Sequence, residues 1–168
     1  MLKVFAALLT GLVLATSADA KDAPGPITAS IEIDAPVGEA WAMWTTEDGL
    51  SFFAPGSLIE LEPGGRYEVY FALDAPEGQR GSEGTHVLGL QSERMLAISW
   101  ALPPYMADVR PHLTSLTLTF EPLSETRTRV TILHSGWGWG GQWDGARDYF
   151  VGNWPAVLDL MKTAAEAE

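Results

Sequence analysis

The chain has 168 residues, with 22 acidic against 10 basic side chains, a net charge of −12 and no cysteine. That acidity repels phosphate backbones and anionic lipid surfaces, and no basic cluster relieves it, so nucleic-acid binding is excluded as a class. Without cysteine there are no disulfides, no thiolate chemistry, no lipidated-cysteine anchor and no cysteine-ligated metal, which leaves an apolar core as the source of stability.

The first twenty residues read MLKVFAALLTGLVLATSADA. One early cation, Lys3, precedes an apolar run from Val4 to Ala15, and Ala18-Asp19-Ala20 supplies a small-x-small cleavage signal. The run is shorter than the ~20 residues that cross a bilayer. Residues 1–20 are therefore predicted to be a removed signal peptide, with a periplasmic or secreted destination and no membrane span afterwards. Residues 21–168 are predicted to form one domain, since a chain of ~150 residues buries roughly two-thirds of its unfolded surface.

The segment ITASIEID alternates without a break: Ile27, Ala29, Ile31 and Ile33 share one face, as in a strand with one buried and one wet side. APVGEAWAMWTTEDG follows, with Pro36 suited to a first helical turn and Val37, Ala40, Trp41 and Trp44 at helical spacing. Gly49 is the predicted stop, and LSFFAPG a second short helical turn broken by Pro55-Gly56. SLIELEPGGRYEVYF is a hairpin about Pro-Gly-Gly, with Tyr67, Val69 and Phe71 on one face and Arg66 and Glu68 on the other. APEGQRGSEG is a polar loop. THVLGLQSERMLAISWAL is a second hairpin, in which Leu96, Ile98, Trp100 and Leu102 alternate. After Pro103-Pro104 come two more strands, LTSLTLTFEPL and TRTRVTILH. Trp143, Phe150, Trp154, Val157, Leu158, Met161 and Ala165 then form a helical stripe. Pro155 is expected to kink that helix or restart it from Asn153.

The resulting order is β-α-α-β-β-β-β-β-β-α. With APVGEAWAMWTTEDGLSFFAP, ELEPGGRYEV, TRVTILHSGW and GNWPAVLDLMK in sequence, the chain resembles the SRPBCC superfamily, also called START-like, polyketide-cyclase-like or helix-grip proteins. Within it, the chain is most similar to the group named after the activator of the ninety-kilodalton heat-shock protein ATPase. The resemblance implies an α+β helix-grip fold, in which a curved six- to seven-stranded antiparallel sheet wraps a long C-terminal helix around a cavity. It implies no single chemistry. The group's named partner is cytosolic whereas the leader directs export, so a co-chaperone-like interaction with a protein partner is carried as an alternative.

Under that fold the stretch HSGWGWGGQWDGARDYFVGNW borders the cavity. Trp137 and Trp139 would sit on its glycine-rich loop and Trp143 on the first helical turn, either as an aromatic rim for a ligand or as plugs for the core. His134 continues the parity of Val130 and Ile132 and is the best candidate for a catalytic acid–base group in a cyclase or dehydratase. Otherwise it is a histidine bonded to backbone. His86 alternates with Leu88 and Leu90 and is expected inward, while His112 reads as a loop residue. Trp100, Tyr70 and Phe150 complete the ligand-binding set. Glu60, Glu62, Tyr105 and Asp148 are further residues within reach of a cavity mouth. The histidine spacings make no metal site, no nucleophile motif is present, and GWGWGG lacks the later acid of a dinucleotide fingerprint, so no cofactor is expected. The expected partner is a small hydrophobic or aromatic molecule.

Overall fold

A computed structural model describes residues 24–167, so the predicted signal peptide of residues 1–20 lies outside the described residues. The first strand, β1 (Ile27–Ile33), buries Ile27 and Ile33 at its two ends. It pairs with the last strand, β8 (Arg127–Ser135), in antiparallel register from Ile27 opposite His134 to Ile33 opposite Thr128. Alternation along β8 is complete: Thr128, Val130, Ile132 and His134 point inward. β7 (Leu113–Ser124) follows the same rule with Thr114, Leu116, Leu118 and Phe120. β6 (Met95–Ala101) and β5 (Val87–Gln91) complete a five-stranded sheet in the order β1-β8-β7-β6-β5.

A second sheet contains β2 (Gly56–Ile59), β3 (Tyr67–Tyr70) and the two-residue β4 (Gly81–Ser82), which lies in a segment read as loop. The two sheets are joined. Arg66 bridges His86, Val87 N–H donates to Gly65 at 2.9 Å, and Tyr67 N–H donates to Thr85 at 2.9 Å. β4 and β5 are thus two halves of one run that bends at Glu83-Gly84, where Gly84 takes a φ of +71°. Counted this way, the surface is the expected curved, seven-stranded antiparallel sheet. The bend has a cost in parity. A bulge between Val87 and Gly89 shifts the register, so His86 and Leu88 face outward and Thr85 and Val87 are the buried pair.

The two N-terminal helices also differ from expectation. α1 (Val37–Thr45) starts on Pro36, whose carbonyl accepts from Glu39 and Ala40, but it stops four residues before Gly49. Thr46 ends it by adopting an extended conformation. Its hydroxyl donates to Ala42 O at 2.9 Å and accepts from Gly49 N–H at 2.9 Å, so it caps α2 (Glu47–Leu50). Gly49 is inside α2 because the two helices touch there.

The long helix, α3 (Gln142–Ala165), runs through Pro155 without a restart. Pro155 withholds a donor from Val151, but both residues are exposed, so water can satisfy the freed carbonyl. Asn153 does not cap; its amide donates to Tyr149 O at 2.6 Å. Ala146, Phe150, Trp154, Leu158 and Met161 are the buried stripe of α3 and meet the inward faces of β1, β6, β7 and β8. α1 closes one end of this core. Trp41 meets Phe120 edge-on at 5.3 Å, and Trp44 Nε1 donates to Met161 Sδ at 3.3 Å. Tyr67, wholly buried, donates its hydroxyl to Trp44 O at 2.7 Å and so pins the second sheet to α1.

A Cβ on Gly49 would lie 2.1 Å from Ala42 O and 2.7 Å from Met43 Cα. Both obstacles are backbone, which no rotamer change relieves. Gly49→Ala is expected to cost about 3 kcal/mol and to lower the melting temperature by roughly 10 °C. Thermal denaturation followed by circular dichroism checks this, and an unchanged midpoint would mean the two helices are free to separate.

Candidate ligand-binding cavity

A cavity of about 430 Å³ opens beside α3, away from the glycine-rich loop. Its floor is Trp100 at the end of β6 together with Phe150 and Trp154 of α3, all buried. Pro103 and Pro104 stop β6 at this point and carry the chain outward, so Leu102 stays inside while Tyr105 reaches the mouth. The arc between β3 and β4 supplies Phe71 and Arg80, β4 the buried Ser82, and the turn after α2 Phe53. Phe71, Tyr105, Tyr149 and Leu160 are 48, 69, 41 and 49% exposed, an apolar collar around the opening. The floor is a stacked aromatic group: Phe150 lies over Trp154 at 5.4 Å and 23°, and Trp100 meets Trp154 edge-on at 5.4 Å.

Behind this floor lies His134, fully buried. Trp154 Nε1 donates to His134 Nδ1 at 2.9 Å. An indole N–H only donates, so Nδ1 is bare and the proton sits on Nε2. Nε2 in turn donates to Thr114 Oγ1 at 2.7 Å, and Thr114 Oγ1 donates to Trp100 O at 3.0 Å. The direction of every bond is set by its two ends. The chain starts at a group that cannot accept and finishes at one that cannot donate. Trp137 closes the other side, with its Nε1 donating to His134 O at 2.8 Å and its ring 4.3 Å from the imidazole.

The expected ligand-binding residues therefore separate. Trp100 and Phe150 line the cavity. His134 and Trp137 stand in the layer behind its wall, and an acid–base role for His134 would require opening the bond chain, since neither ring nitrogen is free. Trp139 is exposed on the loop. Trp143 packs against His112 at 5.4 Å and covers Gly138, where a Cβ would come within 2.6 Å of the indole. Tyr70 belongs to a neighbouring polar cleft, its hydroxyl donating to Glu68 at 2.5 Å. Burial, followed by that carboxylate, pushes Tyr70 up to about 12. Of the four outlying residues only Tyr105 reaches the cavity. Sequence reasoning missed Phe53, Phe71, Arg80, Tyr149 and Leu160 as lining. A signal for part of this was present: Tyr149, Asn153, Val157 and Leu160 recur at steps of four, four and three beside the buried stripe.

An antiparallel sheet wrapped on a C-terminal helix, with a cavity at the helix flank, defines the helix-grip class of the SRPBCC superfamily. The chain belongs to the family described as Activator of Hsp90 ATPase homolog 1-like protein, whose model matches residues 34–166. Among solved structures, an HSP90 activator from Plasmodium falciparum is similar at 13% identity and a TM-score of 0.66, covering 84% of this chain and 96% of that one. The Aha1 dimer from Colwellia psychrerythraea is similar at 19% identity and a TM-score of 0.63, with 84 and 96% covered. CalU16 from Micromonospora echinospora follows at 17% identity and a TM-score of 0.61, with 84 and 74% covered. No curated protein matches the sequence. At these identities the likeness is one of fold. Among the described residues, no helix is long and apolar enough to cross a membrane, and no three metal-ligating side chains of the His, Asp or Glu type gather.

Burial pushes His134 down from its ordinary 6.5 to about 3. The folded state thus favours the neutral ring. That contribution is complete above pH 6.5 and is lost as pH falls from 6.5 toward 3. Over this range the protein is expected to lose up to about 5 kcal/mol more stability than its His134→Gln variant. Denaturant titrations at several pH values check the difference, and parallel curves would show that the imidazole is not held neutral.

Proposed function

We propose that this chain is an exported binding protein that takes a small apolar, ring-bearing molecule into the cavity floored by Trp100, Phe150 and Trp154. The observation that carries this reading is the aromatic floor beneath an exposed collar of Phe71, Tyr105, Tyr149 and Leu160. A volume of about 430 Å³ suits a ligand of ordinary size, and ligand sites of this kind are mostly apolar with a few polar groups that orient the guest. Here Ser82, Asn153 and Arg80 are those groups. Contiguous exposed apolar surface is unfavourable unless something covers it, which supports a guest or partner at the collar. The leader read in residues 1–20 supports a periplasmic or secreted setting.

Intrinsic tryptophan emission tests the reading directly, because two of the seven tryptophans form the floor. Lipids, isoprenoids and aromatic ketones are to be titrated, with melting temperature as the second measurement. A binder is expected to quench emission and raise the midpoint together. Leu160→Asp, on the exposed collar, is expected to weaken it roughly tenfold, equivalent to losing about 55 Å² of apolar contact. If no compound in the panel changes either signal, the cavity reading loses its basis.

The second reading is a protein-docking module, favoured by the same collar and by the fold shared with an HSP90 activator. It predicts a complex recovered from periplasmic extract by the native chain and lost with Leu160→Asp, in the absence of any small-molecule signal.

A further inference from the structure

A polar cleft of about 390 Å³ adjoins the aromatic cavity, and Arg80 stands in the wall of both. Three of the chain's ten cations, Arg66, Arg80 and Arg110, border this cleft. Two of them are paired. Arg80 donates through Nε to Glu83 at 2.7 Å and lies 4.7 Å over the Tyr70 ring, and Arg66 sits 3.7 Å from Glu60 at the surface.

Arg110 is held differently. Its guanidinium donates to two backbone carbonyls, those of Leu102 and of Gly78, the latter at 2.9 Å. It makes no ion pair with a carboxylate among the described residues. Arg110 itself lines the polar cleft, but its two bonds reach Leu102 in the wall of the aromatic cavity and Gly78 in the cleft, which holds its guanidinium beside the seam that Arg80 forms. Carbonyl dipoles orient a guanidinium without pairing its charge. Burial lowers the tendency of Arg110 to hold its proton, and the nearby charge of Glu83 offsets this only in part.

The neighbouring carboxylates are already committed. Glu83 faces Arg80, and Glu68 accepts from the Tyr70 hydroxyl and from Gly84 N–H at 3.1 Å. Glu77 also borders the cleft, on its exposed side. A dianion entering here would meet three carboxylates. A single planar carboxylate suits the fork of one guanidinium and carries the least repulsion. Resting on the cavity reading above, we infer that the ligand is a lipophilic carboxylic acid, its apolar body on the aromatic floor and its carboxylate paired with Arg110 at the seam.

The test uses 1-pyrenebutyric acid and its methyl ester, with energy transfer from Trp100 and Trp154 to pyrene as the readout. The ester is the more hydrophobic probe, so an apolar cavity without an anion site would hold the ester at least as tightly. The acid is expected to bind about tenfold more tightly than the ester at neutral pH. Arg110→Gln is expected to abolish that preference and leave the ester's affinity unchanged. An ester that binds as well as the acid, or a variant that weakens both probes alike, overturns the carboxylate assignment while the cavity reading stands. If neither probe quenches tryptophan emission, the cavity reading falls as well. Should Arg110→Gln not fold, the acid-to-ester ratio of the native chain decides.

Discussion

The buried join between helix and sheet is set by one line of hydrogen bonds, from the Trp154 indole through the His134 imidazole and the Thr114 hydroxyl to the Trp100 carbonyl, with Lys162 of α3 adding a bond to Glu32 O of β1 nearer the surface. Its members come from α3, β8, β7 and β6, so a single polar thread stitches the gripping helix to three adjacent strands. Apolar packing alone would allow α3 to rotate or slide along the sheet, because contacts among Phe150, Leu158 and Met161 are not directional. The thread removes that freedom. Sliding α3 by one turn would strand a buried N–H and an imidazole nitrogen, a cost of about 1–3 kcal/mol for each group left unsatisfied.

The same thread shapes the cavity. Trp100 supplies a ring to the floor and a carbonyl to the end of the line, while Trp154 supplies a ring to the floor and the N–H at its start. The Trp154 ring is thus held by a polar contact behind the wall and Trp100 by its backbone, and the apolar ring faces are left for the cavity side. A floor fixed in this way needs no rearrangement to receive a flat molecule, and preorganisation of that sort lowers the entropic cost of binding. The buried histidine anchors the floor from behind without lining the cavity itself.

Much of the architecture was legible because period-two and period-3.6 patterns are written residue by residue. The alternation of Val130, Ile132 and His134 places the histidine inward as expected, and the stripe from Phe150 to Met161 locates the gripping face. What was not legible depends on contacts between distant segments. Nothing local marks Thr46 as a double-duty cap, nor the bulge after Val87 that turns His86 outward. The cavity eluded the sequence for a related reason. Arg80 belongs to a segment with turn-like composition and Phe71 reads as the end of a strand that in fact stops at Tyr70, and only the folding of the arc between them toward α3 makes them part of a wall. The tryptophans of the glycine-rich loop drew notice by density. Yet Trp137 is spent on covering His134 and Trp143 on covering Gly138.

The bend at Glu83-Gly84 has an architectural consequence. One run of chain serves two surfaces: beyond the bend it is a strand of the load-carrying sheet, and before it a flank of the small β2-β3-β4 sheet that overhangs the cavity. The overhang is attached to α1 by Tyr67, and its outer arc from Phe71 to Arg80 packs little of the core. Length and sequence in that arc are therefore decoupled from the folding of the five-stranded body. Substitutions in the arc would reshape the flank of the cavity while leaving the frame beneath it intact.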